Sequence, residues 1–198
     1  MVVNYEDKKL TQRYQLMAQT IIPRPIGWIL TQNDEGVLNV APFSYFMGLS
    51  SEPATMVVSI GHKSDGTPKD TLKNIRNNKL CTICMVDESS MQKMHFSSKE
   101  IPSHESEAVM FEIETQQIMD GFPPIIKDTP SAFFCTLYQE IDLANSKTIP
   151  LIVEIQYQYI DEKIIKNKEK LVLEYDPLLR VGKSYATLGE KITPPQIP

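Results

Sequence analysis

The chemistry of this 198-residue chain is easiest to state at Lys69-Asp70-Thr71, which follows Pro68 and precedes the apolar positions Leu72 and Ile75. That spacing predicts a helix running to Asn78 with Asp70 as its N-cap. Unpaired amides and the positive end of the helix dipole attract an anion there, and Lys69 adds a full charge beside them. The plainer reading is a solvated helix cap. A second stretch, Asn39-Val40-Ala41-Pro42-Phe43-Ser44, carries a proline after a predicted strand. The proline should stop the ladder and free the amides of Phe43 and Ser44 to face a ligand. Read blandly, it is a hairpin exit made of ordinary turn residues. Ser59 and Lys63, around a buried strand end, offer a hydroxyl and another cation.

A fourth stretch, Pro23-Arg24-Pro25-Ile26-Gly27-Trp28, precedes these, and Asn74 and Ile75 continue the third as Pro-Lys-Asp-Thr-x-x-Asn-Ile. In this order and at about this spacing the four pieces resemble the flavin-reductase-like family of FMN-binding split-barrel proteins, over roughly residues 14–144. The resemblance implies FMN as cofactor, with its phosphate on Lys69 and Thr71 beside Asp70. It also implies ring and ribityl contacts at Asn39, Ala41 and Ser44, with Pro42 and Phe43 between them. Ser59 and Lys63 would flank the ribityl chain and phosphate, and Thr31 matches a position that meets the same part of the nucleotide. Near the end, Arg180-x-Gly182-x-x-Tyr185 resembles the family's closing segment, which places Arg180 and Tyr185 against the pocket or over the flavin.

Other residues carry two readings. Trp28, the only tryptophan, would either stack on or wall the flavin, as Phe43 would, or be a core aromatic on a barrel strand. Arg24, held extended between two prolines, reads as a helix-end or intersubunit partner. Cys81 and Cys84 mimic a redox motif, but three residues apart on a strand they point to opposite faces. Cys135, between Phe133 and Leu137, reads as a small buried hydrophobe. His62, His95 and His104 lack metal-ligand spacing, and His62 is a weak candidate for a substrate-side donor.

The elements that must position these groups can be read from periodicity. Leu10, Tyr14, Met17 and Ala18 predict a short amphipathic helix within the lead-in, residues 1–20. Residues 26–32 and a segment from Val37 predict a hairpin through Asn33-Asp34-Glu35-Gly36. Continuous apolar runs at 56–60 and 80–86 predict buried strands, and residues 87–98 a short helix with a further turn at 103–108. Phe111, Ile113 and Thr115 alternate with polar neighbours. So do Phe133, Cys135, Leu137 and Ile141, and Val153, Ile155, Tyr157 and Tyr159. Such alternation predicts antiparallel strands with one wet face. The whole reads as mainly β, a closed antiparallel barrel. The resemblance sharpens this to an antiparallel split β-barrel of Greek-key type with inserted short helices. One domain over residues 1–198 is expected, with 177–198 an irregular tail.

Composition narrows the partners. Twenty Lys and Arg against 25 Asp and Glu give a net charge of −5, so no general attraction to nucleic acid or anionic lipid is expected. No stretch supplies the ~20 apolar residues of a membrane helix, the first ten residues do not read as a secretion signal, and three cysteines fit reduced thiols. A cytoplasmic protein follows as the expectation. The resemblance implies a homodimer that takes a hydride from NADH or NADPH at flavin N5 and passes electrons on. The alternative is an FMN-binding or flavin-carrier protein without reductase activity.

Overall fold

The computed structural model describes residues 1–196. Seven segments form one antiparallel sheet. They are β1 (Gly27–Gln32), β2 (Leu38–Phe43), β3 (Phe46–Ser51), β4 (Ala54–Gly61), β5 (Leu80–Met85), β6 (Ser131–Glu140) and β7 (Thr148–Ile160). The strand order is β2-β1-β5-β6-β7-β4-β3. The two edge strands, β2 and β3, are consecutive in the chain and separated only by Ser44 and Tyr45. A sheet whose opposite edges are tied by two residues must curl until those edges meet, and the result is a split barrel.

Two apolar cores follow from the curl. One draws on all seven strands: Ile29, Phe43, Phe46, Met56, Cys81, Cys135 and Leu151 lie in it together with Leu72 and Ile75 of helix α2 (Asp70–Asn78). Residues from every strand, both edges included, can meet only inside the roll. The other core lies on the outer face, where Trp28, Leu30, Val40, Cys84 and Phe134 pack against Met94, Ile113, Ile125 and Leu178. Strands β1 and β5 are therefore covered on both sides and read as continuous apolar runs. Cys81 belongs to the inner core and Cys84 to the outer one, as side-chain alternation requires. Burial holds the Cys84 thiol up at about 12, so it stays protonated.

Several expectations need correction. Strand β3 is not signalled by the 46–51 pattern, because all its residues except Phe46 are exposed. Phe111 and Ile113 are not in a strand. They end the short helix α4 (Glu107–Met110), and Glu112 has φ 53, which turns the backbone so that both apolar side chains meet the outer core. Only Thr115–Gln116 is extended there. Ile141 lies beyond β6, and β6 has no fully wet face, because Ala132 and Phe134 enter the outer core while Cys135 enters the inner one. In β7 a register shift between Ile155 and Tyr157 breaks the alternation, so Tyr159 packs on the outer core and Ile155 on the inner.

The tail is also more ordered than expected. Leu179–Val181 and Ser184–Ala186 form a hairpin turned at Gly182, whose φ of 55 suits glycine. This hairpin adds Arg24–Pro25 to make a three-stranded sheet. Residues 187–196 hold no regular element, and the end of the proposed tail, 197–198, lies outside the described residues. Helix α1 (Leu10–Thr20) forms where the spacing predicts, but only Ala18 is buried, and Leu10, Tyr14 and Met17 stay exposed. Between β5 and α4 lies α3 (Met91–Phe96).

Candidate functional site

Helix α2 starts one residue earlier than expected. Lys69 occupies the N-cap position and Asp70 the first turn, with no side chain capping the first amides. Those amides have no acceptor within the helix, so an anion can take them. Asp70 instead grips Lys63, whose ammonium lies 2.9 Å from one carboxylate oxygen and 2.7 Å from the other. That pair closes the 62–68 loop onto the helix start and leaves Lys69 uncommitted. Among the described residues Lys69 makes no ion pair, and its ammonium stands 6.0 Å from the centre of the Phe43 ring.

A buried polar network sets the geometry beneath. The Asn39 amide nitrogen donates to Thr31 Oγ1 at 3.2 Å and to Thr71 Oγ1 at 2.9 Å, while Asn74 Nδ2 donates to Thr31 Oγ1 at 3.1 Å. Because the Thr71 oxygen already accepts from Asn39, its own hydroxyl proton is left to donate to another acceptor. The network pins α2 to β1 and β2 through four side chains that are all at least nine-tenths buried.

One groove collects most of these groups. Asn39, Ala41, Pro42, Phe43, Lys63, Lys69, Asp70 and Thr71 line it, opposite a wall from residues 97–101. Segments 39–43 and 69–71, thirty residues apart in the chain, thus share one cavity. A second cavity continues from it across Pro42, Phe43 and Ser98, and holds Ser44, Arg180 and Tyr185 with Tyr14 and His95.

Three predicted site residues line neither cavity. Trp28 is 1% exposed, and its indole N–H donates to Ser97 Oγ at 2.9 Å. The satisfied ring sits in the outer core and does not wall the groove. Thr31 is fully buried and acts through Asn39 and Asn74. Ser59 lies in β4 opposite Pro150 of β7, and its amide donates to the Tyr45 carbonyl. His62 is likewise turned away, with Nδ1 2.6 Å from the Lys147 carbonyl oxygen. Pro42 does not end the ladder, since it lies inside edge strand β2 opposite Trp28, with Phe43 paired to Gly27 beyond it. Val40 offers its amide outward, so alternation points the Phe43 amide inward at β1, and of the two amides expected to be free only that of Ser44 lies beyond the strand. Arg24 caps a helix end: its guanidinium donates to the Ala18 and Ile21 carbonyls at 2.8 and 3.0 Å.

The groove also contains a carboxylate that sequence reading passes over. Glu107, 5% exposed, accepts the Val40 amide at 2.9 Å and so occupies an edge-strand donor. Burial pushes its carboxyl up, and nearby Asp70 adds to the shift. Ser97, Ser98 and Ile101 join it in the wall. No spacing rule marks these residues, which reach the groove only because α3 and α4 fold over β2.

Chemically the helix-start end offers amides, a hydroxyl proton and a free ammonium, which is the donor set of a phosphate site. The residues therefore fit a nucleotide phosphate, with the barrel edge alongside for the rest of the molecule.

Comparison with known proteins places the chain among similar ones. The family model described as a flavin reductase like domain matches residues 17–189. An uncharacterized protein of Aquifex aeolicus is 33% identical over 177 residues, covering 87% of each chain. Among solved structures, the Pseudomonas fluorescens 2-nitrobenzoate 2-nitroreductase NbaA superposes with a TM-score of 0.89 at 28% identity, over 100% of this chain and 96% of that one. Nitrilotriacetate monooxygenase component B from Bacillus cereus gives 0.88 at 26% identity, over 98% of each.

Proposed function

Because the chain belongs to the flavin reductase like domain family, we propose that within this family of flavin-related oxidoreductases it is an FMN-dependent enzyme using NADH or NADPH. The observation that supports this reading is the convergence of residues 39–43 with Lys63 and residues 69–71 on one groove. When bound, FMN supplies two-electron chemistry at N5, taking a hydride from the nicotinamide and passing electrons on.

The chain's own part is binding and orientation. Lys69, the Thr71 hydroxyl and the first amides of α2 hold the phosphate. Lys63 neutralises Asp70, so that carboxylate does not repel the dianion. Asn39 holds Thr71 in its donor orientation, and Thr31 holds Asn39. Ala41, Pro42, Phe43 and Ser44 flank the remainder of the nucleotide along the barrel edge, toward Arg180 and Tyr185. No side chain needs to act as a general base for hydride transfer.

Among the described residues no helix is long and apolar enough to cross a membrane, and we read the protein as cytoplasmic. We also read it as a homodimer. Leu10, Tyr14, Met17, Ile21 and Ile22 are exposed on and just after α1, a patch of the kind that a second copy covers.

The test is spectroscopic. Purified protein should carry or take up FMN with an oxidised-flavin spectrum, and anaerobic mixing with NADH or NADPH should bleach it. Retention of FMN without bleaching by either would leave a flavin carrier and overturn the reductase reading.

A further inference from the structure

The second cavity is built differently from the phosphate end, and its charge is unbalanced. Of its ten lining residues only Arg180 carries a fixed charge, and no carboxylate is among them. Arg180 uses Nε on the Gly182 carbonyl at 3.1 Å. Among the described residues its two terminal nitrogens have no hydrogen-bond or ion-pair partner. The guanidinium carbon lies 4.8 Å from the centre of the Tyr185 ring, a cation–π contact that helps hold the group in place. Tyr185 is itself fixed, because its hydroxyl lies 2.9 Å from His95 Nδ1 and the two rings meet edge to face at 86°.

A second arginine adds to the local charge. Arg24 stands opposite Arg180 in the three-stranded sheet. It is 4% exposed, and its Nε and Nη2 are buried without a partner. Two cations on neighbouring strands, with no acid to balance them, give this corner a positive potential although the chain as a whole is negative. The rest of the lining is mixed: Tyr14, Ile26, Pro42, Phe43 and Met94 supply apolar and aromatic surface beside Ser44 and Ser98. Such a site suits a planar ring bearing a carboxylate, with the ring on the apolar surfaces and the carboxylate bidentate on Arg180.

We propose that the cavity between α1, α3 and the C-terminal hairpin is the substrate subsite and binds a planar carboxylate, with Arg180 as its anchor. Tyr185 is the platform under the guanidinium, and His95 is a positioning residue that acts through Tyr185. As a substrate subsite the proposal rests on the flavin reading, since the cavity shares Pro42, Phe43 and Ser98 with the nucleotide groove. As a binding site it can be tested without that reading.

The probe is benzoate, titrated calorimetrically into the full chain with and without saturating FMN, with benzamide as the uncharged control of the same shape. FMN binding is followed separately by flavin fluorescence, so failure of the nucleotide reading appears there and not in the benzoate heats. Benzoate should bind one to one in at least one of the two states, and benzamide about tenfold more weakly or worse, since only the former makes charge-assisted bonds. Arg180→Gln, with its melting temperature checked, should weaken benzoate by a similar factor and leave benzamide unchanged. Under His95→Ala benzoate should weaken, and His95→Gln, which keeps an acceptor for the Tyr185 hydroxyl, should restore part of the loss. Equal binding of benzoate and benzamide, no benzoate binding in either state, or an Arg180→Gln protein that binds benzoate normally each overturns the proposal.

Discussion

The two ends of the groove are made by opposite means. At the helix-start end the buried side chains are already committed to one another or to the backbone. Asn39 serves Thr31 and Thr71, Asp70 serves Lys63 and Glu107 serves the Val40 amide, while the first amides of α2, the Thr71 hydroxyl and Lys69 are left to donate. At the hairpin end the order is reversed, with two buried or half-buried arginines lacking acid partners and a ring held by one histidine. A network whose members are mutually satisfied fixes geometry before a ligand arrives, which suits a group that is always the same. An unbalanced corner has electrostatic energy in reserve for whatever binds, which suits a partner that comes and goes.

The comparison is broken most directly at the free cation. Lys69→Ala should weaken FMN by about 1.5–3 kcal/mol, roughly 10- to 100-fold, because it removes a charge-assisted bond to the dianion. Riboflavin, which lacks the phosphate, should be little affected, and added salt should weaken FMN selectively. Equal losses for the two ligands, measured by fluorescence titration, would take Lys69 off the phosphate.

Asn39→Ala tests the network behind it. The variant leaves the buried Thr71 hydroxyl without its donor and Thr31 with Asn74 alone, and should cost about 1–3 kcal/mol in urea unfolding. FMN affinity should fall as well, although Asn39 need not touch the phosphate, because Thr71 loses the bond that orients its proton. Stability lost with FMN affinity intact would show that the Thr71 hydroxyl is not a ligand donor.

The sequence was informative where chemistry is local and silent where it is not. Lys69, Asp70 and Thr71 are adjacent, and their meaning depends on a helix that Leu72 and Ile75 announce. Residues 39–43 reach the same groove through a hairpin whose turn is written in Asn33 to Gly36. Ser59 lines neither cavity, and the sequence does not show this because spacing gives a strand's position but not which neighbour takes its amide, here Tyr45. Strand β3 escaped notice because an edge strand of a split barrel is exposed within one chain, so its pattern lacks a buried face. Glu107, Ser97 and His95 come from short helices folded over the barrel, and nothing in their immediate neighbours says where those helices will lie. Trp28 carries both readings in the sequence, and the indole's bond to Ser97 inside the outer core decides between them.

That assignment gives the next prediction. Trp28→Phe removes one buried hydrogen bond and leaves a small void, so it should cost about 1–2 kcal/mol of stability. The bound-flavin spectrum and FMN affinity should stay as in the parent. A shifted flavin band or a large affinity loss at unchanged stability would return Trp28 to the groove.

The smallest effect is expected at Glu107, and its value lies in its sign. Burial raises the folded-state pKa of this carboxyl above its unfolded value, so folding penalises the charged form. The penalty is absent below the unfolded pKa and reaches its full size only above the folded one. Glu107→Gln removes the charge while keeping a carbonyl to accept the Val40 amide. The variant should therefore match the parent near pH 4 and be slightly more stable at pH 7, by less than about 1 kcal/mol, since a charged acceptor is exchanged for a neutral one. FMN should also bind it somewhat more tightly at pH 7, because a negative group has left the wall facing the phosphate. A variant less stable than the parent at pH 7 would mean that the charged form is the one this end of the groove is built around. The contrast between a satisfied end and an unbalanced end would then fail at its most buried acid.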